Sequence, residues 1–277
     1  MKNTEFEWRT KDGLELYARN WETTTNPRAV ICLVHGLGEH SGRYSHLAAF
    51  LTGKGYTVLS FDLRGHGKSQ GVQGHTPSYE ALLEDIDLLM DNASLLYPGI
   101  PRILYGHSLG GGLALNYALR RKPPLTGVVA TSPWLRLYKE PPALLVQILS
   151  ALDKLWPSLS LSNGLNARDI SQDPAVVRAY INDPLVHDRI TARLCITAYR
   201  AGIWALEHAG EFPLPLLIMA GSADRITSPR ATEYFARNVP SGCTLKIWDG
   251  LFHEIQNEPQ NDDVFNYLLE WLNDHAK

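Results

Sequence analysis

Short runs of consecutive apolar residues alternate along this chain with longer stretches in which apolar residues recur every third or fourth position. Ala29-Val30-Ile31-Cys32-Leu33-Val34, Tyr56-Thr57-Val58-Leu59-Ser60-Phe61, Arg102-Ile103-Leu104-Tyr105, Leu125-Thr126-Gly127-Val128-Val129-Ala130, Leu214-Pro215-Leu216-Leu217-Ile218-Met219-Ala220 and Leu245-Lys246-Ile247-Trp248 are of the first kind. Such runs predict strands, and the unbroken apolar run 29–34 predicts one covered on both faces. Between them the spacing predicts helices near 43–54, over 78–97, after residue 109, near 229–238 and near 260–275. Ser78 stands where an N-cap belongs, ahead of Leu82, Leu83, Ile86, Leu89 and Met90 at helical spacing. At the start of the chain, residues 4–10 and 14–21 alternate around Asp12-Gly13, which predicts a hairpin and an antiparallel edge.

Strand alternating with helix is the rhythm of a mostly parallel, twisted sheet with helices on both faces, here of about eight strands by pattern counting. From Pro133 to Gly210 that rhythm breaks into a helical, Pro-punctuated stretch with no strand-like run. Residues 1–132 and 211–277 are therefore expected to form one α/β core, with 133–210 inserted as a helical cap.

Composition changes the picture only by exclusion. The chain has 277 residues, 44% apolar and 20% charged, with a net charge of −3, so it carries no basic field for nucleic acid. There is no run of 18 apolar residues and no apolar leader after Met1, which leads to the expectation of a soluble, cytoplasmic protein. Cys32, Cys195 and Cys243 are an odd number in apolar surroundings, which suits reduced, buried thiols better than a disulfide framework, and none has metal-ligand spacing. No metal or organic cofactor is expected.

The candidate chemistry centres on Gly106-His107-Ser108-Leu109-Gly110, where an apolar run passes through a serine into a helix-compatible stretch. A serine held between two glycines on a strand-to-helix turn is a nucleophile elbow, with a helix N-terminus beside it to favour negative charge. A serine hydroxyl needs a base within hydrogen-bond reach and a carboxylate to orient that base. Ligands sit beyond the carboxyl ends of strands in open α/β sheets, so the partners are sought there. Asp224 follows the run 214–220 and His253 follows 245–248, giving the chain order Ser108, Asp224, His253. Asp249, on the same loop as His253, is a rival for the acid. His35, His66 and His107 adjoin tight turns and read as structural. Backbone amides of Leu37, in His35-Gly36-Leu37-Gly38, and of Leu109 are the candidate oxyanion donors.

With these residues in view, the chain resembles the monoacylglycerol lipase and lysophospholipase family of α/β-hydrolases. The resemblance rests on His35-Gly36-Leu37-Gly38-Glu39-His40-Ser41-Gly42-Arg43-Tyr44, on Phe61-Asp62-Leu63-Arg64-Gly65-His66-Gly67-Lys68-Ser69-Gln70-Gly71 and on Gly106-His107-Ser108-Leu109-Gly110-Gly111. Asp173-Pro174-Ala175-Val176-Val177 and Asp183-Pro184-Leu185-Val186-His187 extend it into the cap. It implies the α/β-hydrolase fold and a serine hydrolase of long-chain monoacyl esters, with Ser108, Asp224 and His253 as nucleophile, acid and base. It also implies head-group contacts from Glu39, Arg43 and His107. One departure is Gln256, which stands three residues after the base where such lipases commonly carry a second histidine; its amide is a further head-group candidate, able to hydrogen-bond a hydroxyl, and the change leaves the head group open between glycerol and phosphoglycerol.

Residues 141–156 carry Leu144, Leu145, Val146, Ile148, Leu149, Leu152, Leu155 and Trp156, an apolar surface wider than one buried face requires. Either two faces of this helix pack within the protein, or Leu145, Ile148, Leu149 and Leu152 form an acyl roof over Ser108 that also touches micelles or membranes transiently. A short-chain esterase, an acyltransferase on the same triad, and a non-catalytic binding protein of the same fold are the alternatives.

Overall fold

A computed structural model describes residues 2–276. In chain order its elements are β1 (Lys2–Arg9), β2 (Glu15–Glu22), β3 (Val30–Val34), α1 (Ser45–Gly53), β4 (Thr57–Phe61), α2 (Tyr79–Leu96), β5 (Arg102–His107), α3 (Leu109–Arg121) and β6 (Gly127–Thr131). They continue with α4 (Ala143–Leu155), β7 (Ser160–Ser162), α5 (Pro174–Asn182), β8 (Arg189–Thr191), α6 (Ala192–Glu207), β9 (Leu216–Gly221), α7 (Pro229–Asn238), β10 (Cys243–Trp248) and α8 (Asn261–His275).

Eight strands form one sheet in the order β1-β2-β4-β3-β5-β6-β9-β10. The first two pair antiparallel, β2 joins β4 antiparallel, and every later pairing is parallel. The hairpin forms as the Asp12-Gly13 pattern predicts. Gly13 turns at φ 90°, where a side chain would strain, and Thr10 closes the turn with its N–H on the Leu14 carbonyl at 2.9 Å.

β3 explains the continuous apolar runs. Val30, Cys32 and Val34 enter the core beneath α2, α3, α6 and α7, whereas Ile31 and Leu33 enter the opposite core with α1 and α8. A strand covered on both sides gives its period-two alternation two apolar destinations, so no polar position remains. α2 starts where the N-cap predicts, with the Ser78 hydroxyl oxygen accepting the Ala81 N–H at 3.0 Å.

The segment between β6 and β9 departs from the expected all-helical insertion. It contains the antiparallel pair β7–β8, with Ser160 opposite Thr191. Three residues are too few to show an alternating pattern. α6 also lies against α3 in the core: Asn116 Nδ2 donates to the Ala201 carbonyl at 3.1 Å, and Gly202 passes so close to the Leu135 carbonyl that any Cβ would collide.

Candidate active site

Ser108 caps α3 at φ 55°, ψ −116°, a strained conformation for a non-glycine residue that costs on the order of 1–3 kcal/mol. The surroundings fix it. Its N–H donates to the Thr131 carbonyl at 2.9 Å, and its carbonyl accepts from Gly112 N at 2.9 Å and Trp134 N at 2.8 Å. A Cβ on Gly106 would strike the Gly110 backbone, and one on Gly110 would strike the carbonyls of Val34 and His35. Both flanking glycines are therefore required by close approach.

The loops after β9 and β10 bring two further side chains to this point. His253 Nε2 lies 2.9 Å from Ser108 Oγ, and its Nδ1 lies 2.8 Å from Asp224 Oδ2. Asp224 also accepts from Ile226 N at 2.7 Å, Thr227 N at 3.0 Å and Thr227 Oγ1 at 2.8 Å. Burial alone would raise the Asp224 pKa, but His253 and these donors outweigh it and hold it below the usual carboxylate range. Burial likewise works to lower the pKa of His253, and the Asp224 charge overcomes it, so the net shift is upward. Asp249 is exposed and accepts from Ser222 Oγ at 3.2 Å, on the far side of the loop from this row.

The Leu109 amide opens α3 and so has no intrahelical partner. The Leu37 amide lies in the 36–37 peptide, which is held at its carbonyl, and the 35–36 peptide before it is held at its N–H. His35 Nδ1 donates to the Gly36 carbonyl at 2.8 Å, and the Gly36 N–H donates to Glu39 Oε1 at 2.6 Å. The tautomer of His35 follows from its other nitrogen, Nε2, which accepts the Leu63 N–H at 2.8 Å. The loop also runs against the nucleophile: a Cβ on Gly36 would come within 3.1 Å of Ser108 Cβ.

Glu39 and Arg43 are buried in a network. Arg43 Nη1 reaches Glu39 Oε2 at 2.7 Å and Glu254 Oε1 at 2.6 Å, Arg43 Nη2 reaches Glu254 Oε2 at 2.7 Å, and Tyr44 Oη donates to Glu39 Oε1 at 2.7 Å. The Tyr180 ring of α5 covers the guanidinium at 4.8 Å. Against the penalty of burial, Arg43 and its neighbours bring the Glu39 pKa down to about 2. Among the described residues, no group of three or more His, Cys, Asp and Glu side chains is arranged to hold a metal ion.

The Hydrolase_4 family model, described as serine aminopeptidase, S33, matches residues 25–260. A monoacylglycerol lipase of Mycolicibacterium smegmatis is 33% identical over 95% of this chain and 94% of its own length. The chain belongs to the monoacylglycerol lipase family of serine α/β-hydrolases. As a member, it is a serine ester hydrolase. The crystal structure of the Paleococcus ferrophilus monoacylglycerol lipase superposes with a TM-score of 0.87 at 38% identity, covering 94% of this chain and 99% of that one. An uncharacterized abhydrolase domain-containing protein of Dictyostelium discoideum is 38% identical over 97% of this chain, which spans 29% of that protein's length.

Two cavities of this family member meet at Ser108. One, of about 470 Å³, is walled mainly by apolar side chains, among them Leu37, Trp134, Leu145, Leu149, Leu161 and Ile226. Of the four expected roof residues, Leu145 and Leu149 line it. Ile148 is absent from the lining and is 47% exposed, and Leu152 lies a further turn along α4; Leu145 is itself 43% exposed, so it stands at the cavity's rim while Leu149 is buried at its wall. The walls from Trp134, Leu161 and Ile226 escape sequence reasoning, because a single apolar residue on a loop, or in a strand as short as β7, carries no periodicity. Cys195 also lines this cavity and is half-buried, as is Cys243, so only Cys32 is the fully buried thiol the sequence leads one to expect.

The second cavity, of about 20 Å³, is bounded by Glu39, His107, Tyr180, His253 and Glu254. Burial, helped by the charge of His253, lowers the His107 pKa to about 4, so this ring is neutral near pH 7. Its Nδ1 lies 3.0 Å from Thr131 Oγ1. Of the expected head-group residues, Glu39 and His107 face this cavity, while Arg43 stands behind it as the bridge between two carboxylates. Gln256 is not brought to either cavity: it is buried, with both side-chain amide atoms unpartnered. Tyr180 and Glu254 were missed, and only the Asp183-Pro184 stretch hinted that this part of the insertion approaches the site.

Proposed function

We propose that this enzyme hydrolyses long-chain monoacylglycerols through an acyl-enzyme on Ser108. His253 Nε2 takes the proton of Ser108 as Oγ bonds to the ester carbonyl carbon, and the negative charge that develops on the carbonyl oxygen is held by the Leu37 and Leu109 amides. Asp224 stays ionised, fixes the tautomer of His253 and stabilises the imidazolium. Collapse of the tetrahedral species breaks the bond to the alcohol oxygen, which receives the proton from His253. Water then attacks the acyl group with His253 as base, and the fatty acid leaves as Ser108 regains its proton.

The observation that carries this reading is the row Asp224, His253, Ser108 opening on a cavity of about 470 Å³ walled mainly by apolar groups. That volume lies in the range of about 300–1,000 Å³ typical of small-molecule sites, and its lining suits an acyl chain better than a sugar or peptide. For the head group, Glu39 and Glu254 share the single cation Arg43, so the small cavity beside the ester is rich in acceptors and net negative. At about 20 Å³ the cavity admits about one hydroxyl, which that field favours, whereas a phosphate is repelled by it. This favours glycerol over phosphoglycerol.

The insertion 133–210 acts in this reading as a cap. No helix of the described residues is long and apolar enough to cross a membrane. α4 and its end nevertheless expose Leu144, Ile148, Leu155 and Trp156, which would meet the surface of a micelle or bilayer transiently. Free thiols at all three cysteines fit a reducing, cytoplasmic setting.

A rate panel of monoacylglycerols and lysophospholipids from short to long acyl chains tests this. The expected result is a kcat/KM that rises with chain length and favours monoacylglycerol at each length. Lysophospholipid turning over faster would overturn the head-group reading, and a steady fall with chain length would overturn the acyl cavity.

A further inference from the structure

One corner of the sheet touches Ser108 and His253 directly and reaches Asp224 through Thr227. β6 ends at Thr131, and the next residue, Ser132, turns into the left-handed region at φ 44°. The Thr131 carbonyl accepts the Ser108 N–H at 2.9 Å. Ser132 Oγ donates to the His253 carbonyl at 2.7 Å. The Ser132 carbonyl lies 3.1 Å from Thr227 Oγ1, the hydroxyl that also lies 2.8 Å from Asp224 Oδ2. Its N–H donates to the carbonyl of Met219, on the strand that leads into the Asp224 loop, at 2.7 Å.

We propose that Ser132 is a positioning residue, which locks the His253 loop to the strands carrying nucleophile and acid and so sets the reach of the imidazole. This rests on the catalytic reading above. Other ties on the base loop act on residues beside His253: Phe252 N donates to Glu258 Oε1 at 2.6 Å and Glu254 N to the Ile170 carbonyl at 2.8 Å, while the Leu251 carbonyl accepts the Ala223 N–H at 3.0 Å and anchors the start of the loop to the acid loop. The Ser132 hydroxyl is the bond that joins the backbone of residue 253 to the sheet. Glycine would adopt this backbone without strain, so what serine contributes here is its hydroxyl.

The test compares wild type with Ser132→Gly and Ser132→Ala, using p-nitrophenyl octanoate hydrolysis across pH together with thermal melting. Ser132→Gly relieves the backbone but leaves the buried His253 carbonyl unpaired, and because these effects oppose each other it should melt close to wild type. Its kcat should nevertheless fall about 10- to 100-fold with KM within about twofold, since a small displacement of a catalytic group is costly. The acid limb of its pH profile should move to lower pH, as an imidazole less firmly held to Asp224 loses support for its protonated form. Ser132→Ala should lose kcat and move the limb in the same way, and it gives the same reading if the glycine variant folds poorly. Variants that keep wild-type kcat, or that lose kcat with an unmoved acid limb, would overturn the inference, the second being what partial unfolding produces. A wild-type protein without esterase activity would instead overturn the catalytic reading, and this inference with it.

Discussion

His35 Nδ1 donates to the Gly36 carbonyl over 2.8 Å, and no peptide in the described chain is cis, so the Leu37 N–H is held on the opposite edge of that peptide plane. A side chain that never meets the ester thereby aims a proposed oxyanion donor. His35→Ala should lower kcat about 10- to 100-fold with a smaller change in KM. It also unpairs the Leu63 N–H and the Gly36 carbonyl, so melting should report a loss of about 1–3 kcal/mol. Unchanged kcat in this variant would show that the peptide holds its plane without His35.

The row Asp224, His253, Ser108 makes a sharper demand. Ser108→Ala should abolish covalent labelling by a fluorophosphonate, and failure of wild type to label would remove the acyl-enzyme. Asp224→Asn keeps the shape of the side chain but presents an amide to His253 Nδ1, favouring the wrong tautomer. Its kcat should fall by about 10⁴, by analogy with other triads, with melting little changed.

The pH dependence follows from the same pair. His253 must be neutral to accept the Ser108 proton, and Asp224 holds its pKa above the ordinary value of 6.5. Activity is therefore full above that raised pKa and lost as pH falls through it. The acid limb of kcat/KM, which reports the free enzyme, should have its midpoint above about 6.5. In Asp224→Asn the support is gone, and the limb of the residual activity should move down.

These features differ in how far the sequence exposes them. The strand runs, the hairpin at Asp12-Gly13, the Ser78 cap and the elbow are legible because each is written in adjacent residues. Strand-end logic then puts Asp224 and His253 on neighbouring loops, and the structure brings both to Ser108. Ser132 and Glu254 escape such reading because they act on His253 and Arg43 across 121 and 211 positions of sequence, and Thr227 because its link to the Ser132 carbonyl spans 95. Glu39 and Arg43 are legible as residues near the ester, but not as an ion pair completed by Glu254. The outcome at Gln256 is similar: its place in the chain suggested the site, and the turn that carries it points its amide elsewhere.

Arg43 lies between two buried carboxylates, so removing it should be costly. Arg43→Met leaves Glu39 and Glu254 without their shared cation, and a broken buried pair of this kind costs about 3–5 kcal/mol. The sign with pH follows from Glu39, whose pKa in the folded protein is depressed to about 2. Its contribution to stability is present above its unfolded value of about 4.5 and is lost as pH falls toward about 2. The difference in melting temperature between wild type and Arg43→Met should therefore be largest near neutral pH and shrink below about pH 4.5. A difference that is constant with pH would assign the loss to packing rather than charge.

The apolar cavity offers a test by volume. Leu149, buried, and Leu145, at the rim one helical turn earlier on α4, both line it, whereas Ile148 between them does not. Leu149→Trp should fill part of the space and shift the chain-length optimum toward shorter esters, lowering kcat/KM for long chains by about tenfold while short p-nitrophenyl esters are cleaved at nearly the wild-type rate. Ile148→Trp should leave the optimum where it is, because that side chain lies outside the cavity. If both variants shifted the optimum equally, α4 would be acting through its packing as a whole. If neither did, the acyl chain would have to run elsewhere than beneath α4.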